Sequence, residues 1–479
     1  MPVVLPPLGN TPKEQVQERA ALARQAQSVW SRYNLSERVR RLRAVWEKAE
    51  AARPKLIEVI HAETGKPVVE IETMELDGVS LLLKYYTRHA HRILKDRPVP
   101  KPWFFFNKRA YVRNIPRGVI GLITPWNMPF LIPVGDAFPA LVAGNAVLVK
   151  PSEWTPRSVL AFEEIVKSTG LLPEGLFQVI PGDGATGAAV LEESDMILFT
   201  GSTASGRKVA RAAAERLRPA VLELGGKHPM IVLKDAPLER TVKAALWGRF
   251  ANCGQICVGV ERVFVEEDLY PAFTEALAAE LKTLRQSLEA KEDVDIGRLI
   301  FPRQLEVVQA HLEDARQKGA RVSGGEVLDA DRLLVSPALV LDAQPDMKVM
   351  REETFGPVLA VMPVRSPEEA LRLANDSPYG LAASVWSRDV ARAEALSAYV
   401  EAGLISVNDV LSHYVVCALP FGGVKDSGLG RRHSDDGLRM FCQPQSVVVH
   451  EWPPNAPEVW WFPYSRLKAR LVSWATRLS

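Results

Sequence analysis

Apolar positions recur at helical spacing through residues 13–95, set among frequent Arg and Glu. Val39, Leu42, Val45, Trp46 and Ala49 share one stripe while Arg40, Arg43 and Glu47 lie off it, the pattern of an amphipathic helix with one buried face. From Gly118 to Leu233 the pattern changes. Short apolar runs, at Val119–Ile123, Ala146–Val149, Phe177–Ile180, Met196–Phe199 and Ala220–Leu222, alternate with helix-like segments, with Asn145, Gly175 and Gly182 at the joins. That rhythm predicts βαβ units and a mostly parallel sheet with helices on both faces. Residues 227–440 repeat it more loosely and predict a second α/β domain.

Two stretches stand apart. Pro98, Pro100 and Pro102 lead into Trp103-Phe104-Phe105-Phe106 and a basic, β-prone segment ending at Asn114. This reads either as a strand that pairs outside its own domain or as a buried hairpin. Residues 452–479 carry Trp452, Trp460, Trp461, Phe462 and Trp474, and from Ser465 onward Leu467, Leu471, Trp474 and Leu478 fall on one helical face beside Arg466, Lys468, Arg470 and Arg477. Such a tail packs on a neighbouring subunit, covers the substrate entrance, or lies on a membrane surface.

A chain of 479 residues exceeds the size at which single cores divide. Its 59 Lys plus Arg against 57 Asp plus Glu give a net charge of +2, which makes a small molecule a better expectation than nucleic acid. Four cysteines cannot form a disulfide scaffold and point to a reducing compartment. Met1–Pro12 lacks the features of a signal peptide, and no run reaches the ~18–20 apolar residues of a membrane span, so a cytoplasmic location is expected.

Several motifs could carry chemistry. Phe199-Thr200-Gly201-Ser202-Thr203-Ala204-Ser205-Gly206 falls where a strand ends and a helix begins, a place where backbone N–H groups and the helix dipole can meet a phosphate. Its GxxxxG spacing is neither GxGxxG nor a P-loop, and taken alone such a turn is more often a plain helix start. Asn252-Cys253-Gly254-Gln255-Ile256-Cys257 offers a candidate nucleophile, although a lone cysteine is more often inert core, and no Cys/His cluster nearby suggests zinc. Glu223, ahead of Leu224-Gly225-Gly226-Lys227, suits a general base or a turn cap. Asn127, in Pro125-Trp126-Asn127-Met128-Pro129, suits an oxyanion donor or a turn. Lys150-Pro151-Ser152-Glu153 could hold ribose hydroxyls or simply form a Ser-capped turn.

Together these motifs resemble the aldehyde dehydrogenase superfamily over residues 20–450. Thr124-Pro125-Trp126-Asn127, Lys150-Pro151-Ser152-Glu153, the 199–206 turn, Glu223-Leu224-Gly225-Gly226-Lys227, Gly254-Gln255-Ile256-Cys257, Glu352-Glu353-Thr354-Phe355-Gly356-Pro357 and Pro420-Phe421-Gly422-Gly423, with Lys425, Ser427 and Gly428, stand in that family's order. The resemblance implies an α/β fold with a Rossmann-like NAD-binding domain (1–97 and 115–226), an α/β catalytic domain (227–439), a small β oligomerisation element (98–114 and 440–451) and a tail (452–479). It implies a homodimer or homotetramer and a tunnel between the large domains. Cys257 would attack the aldehyde, Asn127 and the Cys257 N–H would hold the oxyanion, and Glu223 would activate the water that hydrolyses the thioester. Thr124, Trp126, Lys150, Ser152, Glu153, Gly201, Ser202, Gly206, Leu224, Gly225, Glu353 and Phe355 would hold the cofactor, and no metal is implied. Glu153 would repel a 2′-phosphate and so favours NAD, with NADP the alternative.

Arg432 stands where the family often has Glu, Ala204 where Glu is common, and the tail extends past the usual end. The rival readings are a CoA-acylating dehydrogenase, against which Glu223 argues, a Cys-His hydrolase, and a silent protein of the same fold. Apolar Met128, Ile132, Ile256 and Val258 near the presumed centre favour an uncharged aliphatic or aromatic aldehyde over a semialdehyde.

Overall fold

The computed structural model describes residues 4–289, 293–452, 455 and 457–479. The apolar runs become the expected strands. A six-stranded sheet runs in the order Gly428–Leu429, Ala220–Glu223, Met196–Thr200, Val119–Ile123, Ala146–Lys150, Phe177–Val179. All its pairings are parallel except that of Gly428–Leu429, which returns from much later in the chain to pair antiparallel with Leu222 and Glu223. Its central strands are buried along their length except at Thr200, as near-continuous Val/Ile/Leu runs require when helices cover both faces.

A second, seven-stranded sheet runs Arg321–Ser323, Ala338–Leu341, Val358–Val364, Val260–Glu266, His228–Val232, Ala382–Trp386, Leu404–Val407, parallel but for its first edge strand. The N-terminal stretch is helical, at Lys13–Trp30, Leu35–Ala51, Arg53–Thr64 and Asp77–Leu94. The predicted stripe Val39, Leu42, Val45, Trp46 and Ala49 is its buried face.

A third, antiparallel sheet pairs Arg97–Pro98 with Lys108–Pro116 and the latter with Cys442–His450 over their full nine residues. The aromatic run is neither a strand nor a buried hairpin. Trp103–Phe105 is a 3-10 turn, and Trp103 and Phe106 are exposed. Pro98 still pairs with Tyr111, but Pro100 and Pro102 have no N–H to donate, so the first strand ends there and its partner begins only at Lys108.

Candidate active site

The chain reaches Cys257 through a tightly bonded turn. Asn252 and Cys253 take positive φ values of 50° and 54°, followed by Gly254 at 75°. Left-handed conformations cost non-glycine residues energy and persist only when their surroundings fix them. Here the fixing groups are visible. Asn252 N–H donates to Glu70 Oε1 at 2.7 Å, and its amide donates to the carbonyls of Asn127 at 3.1 Å and Gln255 at 3.0 Å. Gln255 Nε2 donates to Asn252 O at 2.8 Å, and its Oε1 accepts from Ile300 N at 2.8 Å. A Cβ on Gly254 would sit 2.2 Å from Gly356 O, so this glycine admits the strand-leading loop that follows Phe355. The turn separates the two cysteines: Cys253 packs in the core of the second sheet, whereas Cys257 lines a cavity.

That cavity, about 240 Å³, is lined also by Trp126, Asn127, Ser202, Leu224, Glu353 and Phe355. Asn127 is held by donating to Gln255 O at 2.9 Å, which leaves its other amide N–H for a ligand. Burial, and then the neighbouring Glu223 and Glu353 carboxylates, push the Cys257 thiol up to about 12, while the Val258 N–H beside the sulfur acts in the opposite sense.

Two elements form the cavity's far side. Ser202 caps the helix Thr203–Glu215 by accepting from Ser205 N at 3.3 Å, and Gly201 precedes it. A Cβ on Gly206 would meet Leu224, so the glycine lets this helix lie against the Glu223–Gly226 segment. The Glu353–Phe355 loop is anchored from below by Glu261, a carboxylate buried within the Val260–Glu266 strand. Glu261 accepts from Thr354 N at 3.0 Å and Phe355 N at 2.9 Å and pairs with Lys227 and Arg249. These two cations hold its pKa down at about 2 against the effect of burial. Glu353 Oε1 accepts from Gly226 N at 2.8 Å, and burial beside Glu261 raises its pKa to about 7.

Glu223 ends its strand with a fully buried side chain that lies behind the cavity wall rather than lining it. Neither carboxylate oxygen has a hydrogen-bond partner. Burial raises its pKa to about 8, Arg432 and Arg431 oppose that rise, and Asp136 adds to it. A Cβ on Gly422 would fall 2.9 Å from Glu223 Oε1, which explains why the Phe421-Gly422-Gly423 segment carries glycine there. Arg432 is itself buried and paired with Asp136, through Nε at 2.9 Å and Nη2 at 2.6 Å. Asp136 Oδ2 and Tyr414 Oη, both near this pair, are also without partners.

Of the other residues expected around a cofactor, Gly225 lines the cavity. Thr124, Lys150, Ser152, Glu153 and Gly206 do not. Lys150 is buried at the end of its strand, with Glu153 3.7 Å away, and burial lowers its pKa. Ser152 Oγ accepts from Trp154 N at 3.3 Å, so it serves its own turn. Phe301, just before the helix that begins at Pro302, and Gln304 and Val307 within it also reach the cavity, and neither these nor Glu261 stood out in the sequence. A charged pair, Glu261-Arg262, inside an otherwise apolar strand was the available signal, since charges buried there must be paired.

Known proteins resemble this chain along most of its length. The model of the aldehyde dehydrogenase family matches residues 7–447. A 4,4'-diapolycopene aldehyde oxidase of Methylomonas sp is 41% identical over 94% of this chain and 84% of its own length. A Mycolicibacterium smegmatis protein, provisionally named succinate-semialdehyde dehydrogenase [NADP(+)], is 37% identical over 92% of this chain and 86% of its own. The NAD+ complex of an aldehyde dehydrogenase from Bacillus cereus superposes with a TM-score of 0.88 at 31% identity, covering 92% of this chain and 90% of that one. With a family match spanning nearly its whole length, and the fold to go with it, this chain belongs to the aldehyde dehydrogenase family.

Proposed function

We propose that the protein oxidises an uncharged aldehyde to the carboxylic acid with NAD(P)+, through a thioester on Cys257 that water hydrolyses. The observation that carries this reading is the single cavity in which Cys257, Asn127, the 201–202 turn and the Glu353–Phe355 loop meet. The residues fit a dinucleotide. A glycine-led helix start faces the cavity, a buried Lys150 lies 3.7 Å from Glu153, and Gly225 leaves room that a Cβ would fill against Glu353. Gly201, Ser202, Lys150 and Glu153 would hold the phosphates and adenosine ribose, and Glu353 and Phe355 the other ribose. When bound, the cofactor accepts the hydride.

Cys257 Sγ attacks the aldehyde carbon and forms the C–S bond, and the Val258 N–H stabilises the thiolate this requires. Asn127 Nδ2 donates to the oxygen that becomes negative. After hydride loss the acyl group remains on sulfur. Glu223, as carboxylate, takes a proton from water, hydroxide adds to the acyl carbon, and the C–S bond breaks to release the acid. A base in this position favours water over CoA as acceptor. No histidine lines the cavity, which disfavours a Cys-His hydrolase.

Trp126, Ile132, Phe301, Val307 and Phe355 supply an apolar lining without Arg or Lys, and this favours an uncharged aldehyde over a semialdehyde. The Methylomonas relative is named for an aldehyde of 4,4'-diapolycopene, which carries no acid in its name. Glu153 beside Lys150 favours NAD over NADP. We assign residues 1–97 and 115–226 to cofactor binding, 227–439 to catalysis and the third sheet to assembly of a cytoplasmic homodimer or homotetramer. The test is NADH formation with a panel of aldehydes, by wild type and Cys257→Ala, with and without CoA. Cys257-dependent NADH without CoA is expected. Activity confined to reactions containing CoA would overturn the hydrolytic reading, and succinic semialdehyde as best substrate would overturn the substrate class.

A further inference from the structure

The tail ends in the helix Arg466–Arg477, whose N-terminus Ser465 caps by accepting from Lys468 N at 3.2 Å. Twelve residues are too few for a helix to hold alone in water, so something must seat it. The seat is the 3-10 turn: Trp474 meets Trp103 edge-on at 6.1 Å, and Phe105 stacks on Trp460 at 5.1 Å. Lys468 Nζ donates to the carbonyls of Trp461 at 3.2 Å and Pro463 at 3.0 Å, which fixes the helix start to the aromatic segment before it.

Held this way, the helix turns its apolar stripe outward. Leu467, Leu471, Trp474 and Leu478 are each at least half exposed, and Trp103, which meets Trp474, is exposed beside them. Helical spacing places Arg466, Arg470 and Arg477 together on one flank of the stripe. Residues 465–479 contain four cations and no Asp or Glu. Contiguous apolar area of this kind marks an interaction surface, and its uniform positive rim specifies a negative partner.

We propose that this surface docks on an anionic lipid bilayer. Leu and Trp side chains would enter the headgroup boundary while the three arginines meet lipid phosphates. A second copy of the chain fits less well, because a two-fold contact of this face with itself would bring like charges together. Covering the substrate entrance fits less well too, since no described tail residue lines the Cys257 cavity. Among the described residues no helix is long and apolar enough to cross a membrane, so the contact is superficial. Docking is independent of the substrate proposed above.

The test is flotation of the full-length protein with phosphatidylcholine vesicles, with and without phosphatidylserine. Wild type is expected to float with the phosphatidylserine vesicles and to be released by raised salt. The triple variant Arg466→Gln, Arg470→Gln, Arg477→Gln should bind them ~100-fold more weakly. Trp474→Glu should not bind, while its NADH formation with a water-soluble aldehyde and its mass in solution stay at wild-type values. Equal flotation of wild type and Trp474→Glu would overturn the proposal. So would failure of wild type to float, or a Trp474→Glu variant that falls apart into smaller oligomers, which would make the surface a subunit contact.

Discussion

Replacing Glu223 by Gln should separate the two halves of the reaction. The carboxyl is buried with no hydrogen-bond partner, so the amide fits the same space and leaves the fold intact. Its pKa is raised from 4.5 to about 8. A base with that value is ~10% ionised at pH 7 and ~90% at pH 9, so the hydrolytic step of the wild type should quicken nearly tenfold over that range. The sign follows from the form required: the carboxylate is the active species, and it appears as pH rises through 8. Loss of a general base typically costs ~10²–10⁴-fold, and Glu223→Gln should lose that much of its steady-state rate, together with the pH-dependent limb. In the proposed mechanism acylation uses Cys257 and Asn127 but not this base. Stopped-flow NADH fluorescence should therefore show a burst of one NADH per active site followed by an almost flat line. A variant that keeps the wild-type steady-state rate, or one that loses the burst as completely as the steady state, would refute the assignment of Glu223 to water activation.

Three further outcomes follow from the packing around the site. Arg432→Gln leaves Asp136 buried without its cation, which should cost ~3–5 kcal/mol in urea unfolding. Because Arg432 opposes the rise in the Glu223 pKa, the surviving activity of this variant should also have its acid limb moved to higher pH. Gly254→Ala must place a methyl group against Gly356 O at a left-handed position, so kcat should fall more than tenfold with little change in cofactor affinity, measured by steady-state kinetics and cofactor titration. Glu153→Ala removes the carboxylate set against a 2′-phosphate, and the ratio of kcat/KM for NAD to that for NADP should fall about tenfold or more.

The elements that rest on local pattern were legible in the sequence. The strand runs from Val119 to Leu222 appear within a residue of their expected ends, because a parallel strand buried on both faces must be a short continuous apolar run. The N-terminal helices showed their buried stripe for the same kind of reason. Cys257 and Asn127 stood out only when their motifs were taken in order, and the structure brings them to one cavity.

What escaped was set by partners remote in sequence. Arg432 looked only like a missing carboxylate, because Asp136 lies 296 residues earlier and nothing in either segment announces the pair. Glu261 serves the Thr354–Phe355 loop from 94 residues away. The aromatic run misled because aromatic residues favour strands in general, while the prolines ahead of it deny this stretch its ladder.

The proposed reaction bonds the aldehyde carbon to Cys257 and releases it through water. Rapid acid quench of Glu223→Gln during turnover with NAD and an uncharged aldehyde, followed by peptide mass mapping, tests this. An acyl group is expected on the peptide bearing Cys257, absent without NAD and absent in Cys257→Ala. An acyl group on Cys253 instead, or NADH formed with no modified cysteine at all, would contradict it.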